Sequence, residues 1–158
     1  MANPFPFVAG SVLTAAELNG IGEWTDYTPA LFGATTNPVM GNSAVAGKYA
    51  RVQNLIIAYW SISIGSTFVN GSGDYTINLP VTAAAASDFQ RSNLGSASFY
   101  DLSANSFYFC QQWLASTTRV QLANALSFNG QLAGLNHINP VVPATDDVYS
   151  GVMIYQAA

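Results

Sequence analysis

One histidine, His137, and one cysteine, Cys110, occur in the 158 residues. A zinc site needs three or four imidazole, thiolate or carboxylate donors brought together, and a nucleophilic triad needs a base beside its nucleophile. His137 stands in Gly134-Leu135-Asn136-His137-Ile138-Asn139-Pro140, a loop-like stretch with nothing resembling a nucleophile elbow. Cys110 ends the aromatic run Phe107-Tyr108-Phe109 and reads as a small buried apolar residue, not as a reactive thiol. Glycoside hydrolysis needs two facing carboxylates, and the eight acids are scattered along the chain. Asp146-Asp147 is the one adjacent pair, but neighbouring strand-like residues point opposite ways, so a solvated turn before a last strand is expected in place of a calcium site. Gly71-Ser72-Gly73 lacks the lysine and the following helix of a phosphate-binding loop. Trp24, Trp60, Trp113 and the eight tyrosines have faces that stack on sugars, yet most fall on strand positions and serve a core or a subunit interface. The expectation is a protein without catalytic residues, metal ligands or cofactor, and so not an enzyme.

The elements that carry these residues are strands. Half of the residues are apolar and 13% aromatic, while only 8% are charged, against about 25% in ordinary soluble domains. That composition argues against disorder and suits a β-rich protein that buries much of its surface against a partner. Lys48, Arg51, Arg91 and Arg119 are the only cations, and the net charge is −4. Four scattered cations make no basic patch, which excludes nucleic-acid binding by counterion release and polybasic contact with anionic lipid. The length fits one domain.

The opening MANPFPFVAGSVLTAAELNG holds no positively charged side chain, and Pro4, Pro6 and Gly10 interrupt any hydrophobic helix. It therefore reads as a retained extended arm, not as a secretory signal or membrane anchor. Thr14-Ala15-Ala16-Glu17 has the form of a capping box, with Leu13 and Leu18 placed as its hydrophobic staple and Asn19-Gly20 as the stop. A helix under two turns long must dock on something to persist. Beyond it come strands at Trp24–Leu31, Gly47–Val52, Leu55–Ile64, Asp74–Leu79, Ser96–Leu102, Ser106–Trp113, Thr117–Ala123 and Val148–Gln156, with a long connection over Thr35–Gly47 and irregular chain over Ser127–Asp147. The spacing predicts an all-β antiparallel sandwich of jelly-roll type over residues 23–158, preceded by an arm and anchor helix over 1–22.

Two blocks carry a resemblance. Pro6 to Asn19 is similar to an "AG-x-VLTAA-x-LN" opening. Trp24-Thr25-Asp26-Tyr27-Thr28-Pro29, Gly47-Lys48-Tyr49-Ala50-Arg51-Val52 and Gly73 to Pro80 follow in the order of a "W-x-x-YTP" strand, a "GxYxRVG" strand and a strand ending in "LP". Gln53-Asn54 departs from the pattern where it usually carries glycine, and no fibre repeat or coiled coil is present. In this order the blocks resemble a family of small tailed-bacteriophage virion proteins, the fibre, tail and head-decorating type. The resemblance implies a compact virion part without catalysis: a capsid decoration or cement protein, a homotrimer bound to the major capsid protein at the capsid surface. A tail location as a baseplate, fibre-base or adaptor protein, or a host-glycan reader, is the alternative. Phe5, Phe7, Val8, Val12, Leu13 and Leu18 are the residues expected to pack against a neighbouring subunit or the virion, with no nucleic acid and no membrane involved.

Overall fold

The computed structural model describes residues 10, 12, 14, 15, 19–84, 93–124, 133–136, 138 and 140–158. Ala15 and Asn19 are helical and Gly20 lies in a turn, where the short helix was expected. Of the expected arm contacts, Phe5, Phe7, Val8, Leu13 and Leu18 lie outside the described residues, and Val12 is inside them.

The strongest sequence alternation makes the strongest strand. In β4 (Leu55–Ser63), Ile56, Ala58, Trp60 and Ile62 are buried, while Leu55 and Tyr59 face outward. It follows β3 (Ala44–Val52) through a tight turn at Gln53-Asn54, in which Gln53 has φ 53°. β5 (Tyr75–Asn78) buries Tyr75 and Ile77 completely, as period two requires. β6 (Asn93–Asp101) and β7 (Ser106–Ser116) form a hairpin whose turn places Asn105 at φ 49°. β8 (Arg119–Asn124), the two-residue β9 (Ala133–Gly134) and β10 (Val148–Gln156) complete that part of the chain.

Three elements differ from expectation. The stretch Trp24–Leu31 is not one strand but two short ones, β1 (Thr25–Asp26) and β2 (Leu31–Gly33), separated around Pro29. Proline has no N–H for a ladder and bends the chain there. The connection read over Thr35–Gly47 ends sooner, because Ala44, Val45 and Ala46 pair with Ser63, Ile62 and Ser61. Pairing to a strong neighbour overrides the weak strand preference of alanine. The irregular stretch Ser127–Asp147 contains β9, which pairs with β8.

The all-β, antiparallel class is as expected. The strands form one strongly curled sheet, a half-barrel, in the order β1-β3-β4-β10-β6-β7-β8-β5-β2, with β9 branching from β8. The nine strands of this order lie on a single hydrogen-bonded path. The first and last strands of this path are consecutive in the chain, joined by only Tyr27–Ala30. Five residue steps reach at most about 18 Å, so the sheet's two ends must lie close together. Thr25 to Gly33 acts as a corner that leaves one end of the sheet and enters the other, as strands do where sheets turn at right angles.

Asn78 holds this corner. Its side-chain oxygen accepts from the Ala30 N–H at 2.6 Å, and its amide nitrogen donates to the Thr28 carbonyl at 3.1 Å. Both backbone groups flank Pro29, where the ladder is interrupted. Asn78→Ala should therefore cost about 1–2 kcal/mol, measured as a lower urea midpoint with an unchanged m-value. The concave side holds the core. Phe99 lies 4.6 Å from Tyr149, and Tyr75 meets Tyr149 edge-on at 6.4 Å, ring centre to ring centre. Trp60, Ile62, Leu122, Leu135 and Met153 fill the space around them. Each such side chain contributes roughly 1.5–3 kcal/mol on burial.

Candidate functional site: the outer face of the sheet

The side chains with chemical potential are used structurally. Cys110 is 3% exposed on the inner face of β7, with its Sγ 3.7 Å from the Tyr108 carbonyl. Burial pushes its thiol up to about 12, so almost no thiolate exists near neutrality. An aromatic disulfide reagent at pH 8 should therefore label Cys110 only as fast as the protein unfolds, with full labelling in denaturant. His137 lies outside the described residues. Among the described residues, no cluster of three or more His, Cys, Asp or Glu side chains is placed to hold a metal ion, and no helix is long and apolar enough to cross a membrane.

The Asp146-Asp147 pair is split. Asp146 is exposed at φ 69°, whereas Asp147 is 1% exposed and not the solvated turn residue expected. The Asp147 carboxylate accepts from the Leu102 N–H at 3.0 Å and from the Ala144 N–H at 2.7 Å. It thereby fastens two loops at one end of the sheet. Nearby, Asp101 accepts from the Ser103 hydroxyl at 2.7 Å and the Ala104 N–H at 3.0 Å. The Ser103 hydroxyl first, then the Ala104 amide, hold its carboxyl below the usual range. Its stabilising contribution is present above that range and is lost as pH falls through the lowered value.

A buried polar group, Gln112, shapes the middle of the sheet. β6 and β10 pair from Tyr100↔Val148 to Ala97↔Gly151, and there the ladder stops because β6 bulges between Asn93 and Gly95. The carbonyls of Ser96 and Val152 lie just where this ladder ends. Gln112, fully buried on β7, donates its side-chain amide to both, at 2.7 Å and 2.8 Å. Its oxygen accepts from the Trp60 indole N–H at 3.2 Å. One amide thus ties β4, β10, β6 and β7 together. Gly151 is required beside it, since a methyl there would meet Gln112 Nε2 at 2.9 Å and the Trp60 ring at 3.0 Å.

The opposite, outer face of these four strands is apolar and open. Tyr59 on β4 sits opposite Val152 on β10, and Ile57 opposite Ile154. Ser98 on β6 lies between Ser150 on β10 and Phe109 on β7, with the two serine hydroxyls 3.1 Å apart. Phe109 is 68% exposed, Ile154 51% and Val152 46%. Phe107 continues the face beside Tyr100, ring centres 4.5 Å apart. Where the β6–β10 ladder ends, a groove of about 370 Å³ opens, lined by Tyr59, Ser98, Phe109, Ser150, Gly151 and Val152. These strands place no charged side chain in the groove. The nearest ion pair is Lys48 with Asp26 at 3.2 Å, on exposed side chains at the sheet margin, where such a pair contributes at most about 1 kcal/mol.

The chain enters β1 over this same face. Trp24 packs on Tyr59, ring centres 4.8 Å apart, and Gly22 lies against the Val52 side chain. Further back, Val12 is 86% exposed, and Gly10 has only open space around it. Of the three tryptophans, Trp60 is core, Trp113 is half-buried on the outer side of β7 and donates to Gln121 at 3.1 Å, and Trp24 is 47% exposed. Sequence reasoning found the alternation of β4 but assigned no role to its outer residues. Their signal is Leu55, Ile57 and Tyr59, apolar on the face that should be polar. Comparison with family models, with curated proteins and with solved structures finds no match for this chain.

Proposed function

We propose that this chain is a non-enzymatic structural protein of a tailed-bacteriophage virion, a capsid decoration protein that stabilises the shell by apolar packing. The observation that carries the reading is the outer face of β4, β10, β6 and β7, where Phe107, Phe109, Val152 and Ile154 are each about half exposed or more. Contiguous apolar surface of this kind marks an interaction site. The low charge of the chain leaves burial as the means of holding a partner. The order of the strand blocks supports the phage family. Gln53 stands where that pattern carries glycine, and its φ of 53° is the left-handed conformation that glycine accommodates best. In this reading the sheet is of jelly-roll type, curling so that it covers its own core.

Quantitative proteomics of purified virions, normalised to the major capsid protein, tests the reading. Hundreds of copies per particle are expected for a decoration protein. A few to tens would move the protein to the tail, and absence from virions would overturn the virion role.

A further inference from the structure

We infer that the outer face of β4, β10, β6 and β7 receives the N-terminal arm of a second copy of this chain, so that copies assemble head to tail by exchanging arms. The inference rests on reading the protein as an assembling subunit, and it names the occupant of the open face.

Four observations carry it. Where the arm is described it is open: Val12 is 86% exposed, and a methyl added at Gly10 would meet nothing within 4 Å. Its root lies on the same face that is uncovered, with Trp24 against Tyr59 and Gly22 against Val52. Donor and acceptor are therefore neighbours on one surface, and a second copy can present its arm where this copy presents its groove.

The chemistry of the two also matches. The first sixteen residues carry no charged side chain and include Phe5, Phe7, Val8, Val12 and Leu13. The groove has apolar walls and serine hydroxyls, with no charge to desolvate. At about 370 Å³ it has room for a phenyl ring, since a cavity of roughly 150 Å³ already holds benzene. Reach is sufficient as well. The nine residues before Gly10 span up to about 30 Å when extended, and crossing four strands takes about 15 Å. A head-to-tail contact of this kind closes into a ring when the rotation between copies permits.

Light scattering on the full-length protein at micromolar concentration tests the exchange with Phe7→Asp in the arm and Val152→Asp on the face. Phe5→Asp and Ile154→Lys serve as second variants at each end, and all are first checked for cooperative unfolding near the wild-type temperature. Wild type is expected to be oligomeric. Each variant alone should associate at least about a hundredfold more weakly, because a charge must enter an apolar contact. An equimolar mixture of the arm variant and the face variant should form a one-to-one dimer, since one copy keeps a working arm and the other a working face. A monomeric wild type, full assembly by either folded variant, or a mixture that stays monomeric would overturn the exchange. A monomeric mixture is what an arm folded onto its own face would give. Virion copy number is read independently, so arm exchange can fail while the virion role stands, and the reverse.

Discussion

Gln112→Leu should lower the melting temperature by roughly 10 °C, the largest loss expected from any single polar substitution in this protein. The leucine fills much of the same space, so packing is nearly kept. What goes is every hydrogen bond of the hub: the Ser96 and Val152 carbonyls and the Trp60 indole N–H all lose the Gln112 amide. Each buried group left without a partner costs about 1–3 kcal/mol, and a total of about 3–5 kcal/mol follows for three groups that share one site. Scanning calorimetry measures the shift. Gln112→Glu separates the hydrogen bonds from the shape. The new carboxyl faces two carbonyl oxygens in a buried site, so both burial and the carbonyls disfavour its charged form and raise its folded pKa above the unfolded one. A raised pKa gives stability that is present below the unfolded value and lost as pH rises through the folded value. That variant should therefore lie closer to wild type at pH 4 than at pH 7. A Gln112→Glu protein as stable as wild type at both pH values would mean that side-chain volume, not hydrogen bonding, sets the role of Gln112.

The second large effect is expected at Asp147. Asp147→Ala strands the Leu102 and Ala144 amides at the end of the sheet, for a loss of about 2–4 kcal/mol. Asp147→Asn keeps one accepting oxygen and turns its own N–H groups toward the other amide, so it should fall between alanine and wild type. Amide exchange adds a local readout: the Leu102 and Ala144 N–H groups should lose protection beyond the global change. An Asp147→Ala protein with wild-type stability would assign the loop ends to backbone pairing alone.

These two residues mark where the sequence stops being legible. The strand positions of Leu55–Ser63, Tyr75–Asn78 and Val148–Gln156 follow from alternation, because one face of each meets the core and period two records that directly. Gln112 and Asp147 break the rule that polar residues lie outside. Each is buried because the backbone elsewhere has gaps, at the β6 bulge and at two loop ends, and gaps in the backbone leave no trace in local composition. The curl of the sheet is hidden for a similar reason. Pro29 signals a break, but nothing near it says that Leu31–Gly33 will pair with Tyr75–Ile77 at the other end of the sheet. Pairing between distant segments is decided by the whole core, not by either segment. The open outer face was half legible: the apolar start of Leu55–Tyr59 on both faces was visible, but its continuation into Val152, Ile154 and Phe109 needed the strand order.

That strand order also sets a timetable for synthesis. β10, residues 148–156, follows every other described strand in sequence, yet it lies between β4 and β6 and pairs with β4 along its entire length. A nascent chain that has already emitted β3 to β8 can form hairpins such as β3–β4 and β6–β7, but the middle of its sheet stays missing until residues 148–156 leave the ribosome. Folding then closes on contacts far apart in sequence, which is intrinsically slow. Chains interrupted before residue 148 would lack the strand that seats Tyr149, Gly151 and Met153. They would never complete the groove, and under the proposed exchange they could receive no arm.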